Sequence, residues 1–201
     1  MRYSTPIRLL KYLQYYWVAS NSKGHGVHSP FVYQFIRQSL NGTNSFNEIV
    51  NSTPAVRNTL QSIEAASSVK LAPKIKLLIA RLLQSMNPLT VSVTGDKKQF
   101  QANASTHTNV KNELVESINL AFIGPGQDAA TMLQGAIKLI DRMHPNAWVI
   151  LHQIHADADM ERAWNTLKKH SNIRLSIDLF TIGILFCRTA QKEQEHFIIR
   201  Y

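Results

Sequence analysis

Five short runs in the second half of the chain, residues 90–94, 120–123, 148–154, 173–179 and 182–188, constrain its fold more than any other feature. They are β-branched or apolar, too short for core helices, and lack the alternation of a strand with one wet face. Each reads as a strand buried on both sides. Helical spacing fills 129–143 and 160–169 between them. Strands alternating with helices build parallel βαβ units, with helices on both faces of the sheet. The expected class is α/β, with a mostly parallel sheet of five or six strands. Runs 173–179 and 182–188 lie so close that they should form an antiparallel hairpin at the sheet edge. Residues 196–200 offer a last short strand.

The first half is helical. Residues 1–88 read as an N-terminal arm and cap packed on a core formed by 89–201. Over 5–20, Ile7, Leu10, Leu13, Tyr16 and Trp17 fall at helical spacing, with Thr5 as cap and Pro6 in the first turn. That face is expected to pack on the core or on another subunit. After the Gly- and His-rich loop 21–30, Ser29 caps a helix running to about Leu40. Further helices are expected over 54–67 and 73–86, the latter ended by Asn87-Pro88.

Segment 97–119 breaks the rhythm. It is polar, offers one short helix at 110–117, and leaves no room for βα units after the first strand. That strand would become an exposed edge, which proteins avoid. Either segment 97–119 or a second copy of the chain, as a homodimer, should cover it.

Composition narrows the classes of function. With 44% hydrophobic and 17% charged residues the chain is globular, and its single Cys excludes an intrachain disulfide framework. Arg8, Lys11 and Gln14 interrupt the first apolar stretch, so neither a secretory leader nor a membrane span is read there, and the expected location is cytoplasmic. The net charge of +9 raises nucleic-acid binding as an alternative. The basic residues are scattered, though, and phosphate recognition needs them clustered. A solvated basic surface is the simpler reading.

Lys23-Gly24-His25-Gly26-Val27-His28-Ser29-Pro30-Phe31-Val32 near the N-terminus, together with segments toward the C-terminus, resembles the signatures of a group of bacterial class I S-adenosylmethionine-dependent methyltransferases. The C-terminal segments are Ile154-His155, Met160-Glu161-Arg162-Ala163-Trp164, Ile177-Asp178-Leu179-Phe180, Ile182-Gly183 and Glu195-His196-Phe197-Ile198-Ile199-Arg200. The resemblance implies a reduced Rossmann-like, class I methyltransferase-like sheet behind a helical arm. The middle departs from the family. The glycine-rich turn after strand one is reduced to Gly95-Asp96, and the unit carrying the ribose-binding acid is missing. The later acidic positions read Ile123-Gly124 and His152-Gln153. Gly95, Asp96 and Gly124 are what remains of a cofactor site, and S-adenosylmethionine is implied only if that site is retained.

Four histidines are candidate catalytic groups. His25 and His28 could serve acid/base chemistry in a lid; structurally, their loop is a glycine turn leading to the Ser29 cap. His152 and His155, near Asp157 and Asp159, have metal-ligand chemistry, yet residues three apart on a strand face opposite ways, and no metal is expected. Residues 124–127 before a helix could cradle an anion or form a plain turn. Cys187, inside an apolar run, reads as an inert buried thiol. Two principal readings stand: a degenerate methyltransferase-like protein, inactive as an enzyme, with a binding or assembly role, and an active methyltransferase rebuilt around Gly95, Gly124, His152 and His155.

Overall fold

In the computed structural model, residues 2–20, 28–68, 70–96, 99–103, 118–124, 128–189 and 191–201 are described, with 99–103 in backbone alone. Five α-helices come first: α1 (Thr5–Val18), α2 (Pro30–Phe35, continued by a π-helical turn Ile36–Leu40), α3 (Phe46–Ser52), α4 (Pro54–Ala66) and α5 (Pro73–Met86). Proline sits in the first turn of α1, α2, α4 and α5, where its missing N–H costs nothing. Ser45 and Glu48 close a capping box on α3. Asn87, in the left-handed region at φ 43°, ends α5.

The sheet follows: β1 (Thr90–Thr94), β2 (Gln99–Asn103), β3 (Ile118–Ile123), β4 (Met143–His152), β5 (Leu175–Asp178), β6 (Ile182–Phe186) and β7 (Glu195–Ile198). Helix α6 (Ala129–Ile140) lies between β3 and β4, and α7 (Ala158–Lys168) between β4 and β5. The strand order is β2-β1-β3-β4-β6-β5-β7. β1, β3, β4, β5 and β7 run one way, while β2 and β6 oppose them. The α/β class and the mostly parallel direction are as read from the sequence.

Alternating strand residues split the core in two. Val91, Val93, Leu120, Phe122, Ile150, Ile177 and Ile184 face α2–α5. Ala121, Ile123, Val149, Leu151 and Leu185 face α6 and α7. Helices thus cover both faces, and α2–α5 share one buried cluster with the sheet.

One alternative of the sequence reading is decided and two details differ from it. Segment 97–119 covers the edge at β1, because β2 within it pairs antiparallel from Thr90↔Asn103 to Thr94↔Gln99. The hairpin of β5 and β6 is not at the margin: β6 inserts beside β4, and β7 lies outside β5. Finally, the apolar face of α1 does not pack on the core. Trp17 is 82% exposed and Leu10 58%, while Tyr15 is the one buried residue of this helix.

Candidate functional site

In open α/β sheets, ligands bind beyond the carboxyl ends of the strands. This molecule has two contrasting regions there. At the ends of β1 and β3 the backbone closes on itself. A Cβ added to Gly95 would overlap the carbonyl of Ala66, the last residue of α4. The Gly124 N–H donates to the Thr94 carbonyl at 2.7 Å, and a Cβ there would lie 3.6 Å from the Gly95 Cα. Gly95 is therefore needed because α4 ends against it. Asp96 accepts from the Ser68 N–H at 2.8 Å and from its hydroxyl, which ties down the chain leaving α4. Beyond β3, Asp128 caps α6 by accepting from the Thr131 N–H at 2.9 Å. Hydrogen bonds from the Thr131 hydroxyl and N–H hold its carboxyl below the usual range. The start of α6 thus carries its own anion.

Beyond the carboxyl ends of β4 and β5, where β6 begins, the surroundings are polar. β4 ends at His152, so His155 lies in the following turn, free of the parity that separates them on a strand. His155 Nδ1 lies 3.0 Å from Glu161 Oε1, and Nε2 lies 2.8 Å from Asp178 Oδ2. Its ring stacks on Phe180 with centroids 5.2 Å apart. Burial alone would depress the His155 pKa, but hydrogen bonding to Asp178 and then to Glu161, with their charges, raises it. Both ring nitrogens face acceptors, a set that only the imidazolium satisfies. Burial pushes Glu161 up, yet hydrogen bonds from Lys11 and His155 bring it below its ordinary value. Chemically, this imidazolium has no ring nitrogen left for a substrate proton.

The same cluster holds the N-terminal arm. Lys11 Nζ donates to Glu161 Oε2 at 2.9 Å, and the Tyr3 hydroxyl donates to the same oxygen at 3.1 Å. The Tyr3 N–H donates to the Ala156 carbonyl. The Tyr15 hydroxyl donates to the Ile199 carbonyl, and the Arg200 guanidinium donates to the Tyr16 carbonyl. Ser20 bridges Ile199 in parallel. Phe180 adopts φ 66°, unusual for a bulky residue, and its N–H donates to Asp178 Oδ1 at 2.8 Å. Gln153, at φ 64°, donates to the Thr181 carbonyl. Two strained residues thus flank the place where the arm is fastened.

The remaining candidates scatter. His28 is exposed ahead of Ser29, whose Oγ accepts from the Val32 N–H at 3.5 Å, the expected cap. His25 lies outside the described residues. His152 is buried, and its Nδ1 finds no partner among the described residues. Burial, assisted by the Arg8 charge, lowers its pKa to about 4. Asp157 caps α7 and Asp159 pairs with Arg162, so neither joins the histidines. Burial raises the Cys187 thiol to about 11. Among the described residues no helix is long and apolar enough to cross a membrane.

Sequence reasoning did not single out Glu161, Asp178, Lys11 and Tyr15 as site residues. The first two lie inside segments that carry the family resemblance, which was the available signal. Gly183 in those segments has a packing role, since a Cβ there would come within 2.7 Å of the Trp164 ring. Compared with known proteins, the chain matches no family model and no curated protein.

Proposed function

We propose that this chain is a shortened, class I methyltransferase-like protein that no longer uses S-adenosylmethionine and works through binding or assembly. The observation that carries the reading is the overlap between the Cβ direction of Gly95 and the Ala66 carbonyl. A class I site needs open backbone at that turn and a carboxylate for the ribose diol. Here α4 occupies the turn, and the Asp96 carboxylate is bound to Ser68. These residues do not fit the cofactor. The mostly parallel sheet, with the antiparallel β6 inserted between β4 and β5, is compatible with such a scaffold.

A rebuilt catalytic centre would need Gly95, Gly124, His152 and His155 to converge. Gly95 and Gly124 do meet, but His155 is bound to the end of β5, three strands beyond β3 in the sheet. Isothermal titration calorimetry with S-adenosylmethionine and S-adenosylhomocysteine tests the proposal. No binding is expected up to millimolar ligand, and a micromolar Kd for either would overturn it.

A further inference from the structure

Helix α1 is built inside out. Arg8, Lys11, Tyr12 and Tyr15 recur at three- and four-residue spacing, so they share one face. That face meets the body: Lys11 pairs with Glu161, the Tyr12 ring meets Phe180 edge-on at 5.1 Å, and Tyr15 is buried. The opposite face carries Leu9, Leu10, Leu13 and Trp17, flanked by Ile7, Tyr16 and Val18, all at least 46% exposed. An ordinary surface helix does the reverse.

The size of this face argues for a partner. Seven contiguous large apolar side chains left this open exceed the few hundred Å² of the usual monomer patch, and such patches mark interaction sites. We propose that this outward face of α1 is a homodimer interface, two copies of the helix pairing antiparallel about a two-fold axis.

Three observations favour a second copy over other occupants. The stripe Leu9, Leu10, Leu13 and Trp17 is uncharged, so it meets itself without repulsion. A lipid surface would need the helix's basic residues aimed at headgroups, whereas Lys11 is committed to Glu161 and the Arg8 charge acts on His152, both on the body side. Finally, α1 has no acidic residue in its first turn and no basic residue in its last. Antiparallel pairing sets the positive end of each helix dipole against the negative end of the other. The inference stands apart from the cofactor question and survives either outcome there.

Sedimentation equilibrium of the full chain, from micromolar concentration to 100 µM, reads the result. A mass twice the chain's 22.8 kDa is expected. The double variant Leu10→Glu/Leu13→Glu should weaken the dimer at least 100-fold while leaving the far-UV spectrum intact. A second variant guards against misfolding. Cys187 is the sole cysteine and is buried, so Leu13→Cys adds one accessible thiol at the centre of the stripe. It should oxidise to a covalent dimer, while Lys138→Cys on α6 should still dimerise but form no covalent dimer. A monomer at 100 µM, a dimer indifferent to both variants, or co-sedimentation with phosphatidylglycerol vesicles in place of self-association would overturn the proposal.

Discussion

The ends of β1 and β3 and the ends of β4 and β5, with the start of β6 between them, lie along one rim of the sheet, and they are finished in opposite ways. At the first, backbone meets backbone: Gly95 abuts Ala66, and Gly124 bonds to Thr94. At the second, charged side chains hold a separate stretch of chain through Lys11, Glu161, His155 and Asp178. The C-terminal segments on which the resemblance rests meet at the second region. His155, Glu161, Asp178, Phe180, Ile199 and Arg200 all contact the arm or one another. The segment that departs from the resemblance supplies the first. The second region fastens the arm, while at the first the end of α4 fills the turn after β1.

The strongest way to break this comparison is Asp178→Ala. It leaves the His155 charge partly unpaired and removes the acceptor for the strained Phe180 N–H. Urea denaturation should show a loss of about 3–5 kcal/mol, the cost of breaking a buried pair. A loss below 1 kcal/mol would mean that the cluster is incidental. Next is Gly95→Ala, expected to cost about 1–3 kcal/mol because the new methyl meets main chain that cannot rotate away. Gly124→Ala, whose Cβ would be 3.3 Å from the Thr94 oxygen, should cost under about 1 kcal/mol. Equal and small effects would describe an open turn.

The two histidines sharpen the contrast through pH. The raised pKa of His155 gives stability that is full below 6.5 and lost as pH rises through its folded value. The depressed pKa of His152 gives stability that is present above 6.5 and lost as pH falls toward about 4. Stability should therefore peak near pH 6.5, with a slope of about 1 kcal/mol per pH unit just below it. His155→Gln should flatten the alkaline limb and His152→Phe the acid limb, read from Tm across pH 5–9. The smallest expected effect is that of Asp128→Ala, a slight fall in Tm from the lost helix cap. Thermal melts check it.

Much of the fold was legible in these residues. The apolar runs located β1, β3, β4, β5 and β6, because strands buried on both faces must be apolar throughout. β2 was missed because Gln99-Phe100-Gln101-Ala102-Asn103 is an edge strand, mostly polar and only weakly alternating. The periodicity of α1 was read correctly, but a helical period does not say which face meets the body. The polar cluster was beyond reach for a different reason. Sequence proximity pointed to Asp157 and Asp159 as partners of His155. The actual partners, Glu161 and Asp178, are brought there by α7 and by the insertion of β6 between β4 and β5.

The most direct test of the proposal that the turn after β1 no longer admits S-adenosylmethionine is a titration of ¹⁵N-labelled protein with S-adenosylhomocysteine, followed at the Gly95 and Gly124 amides. Both cross-peaks should stay in place at millimolar ligand, with the Gly124 amide slow to exchange because it is bonded to Thr94. Saturable movement of either peak at micromolar ligand would contradict the account.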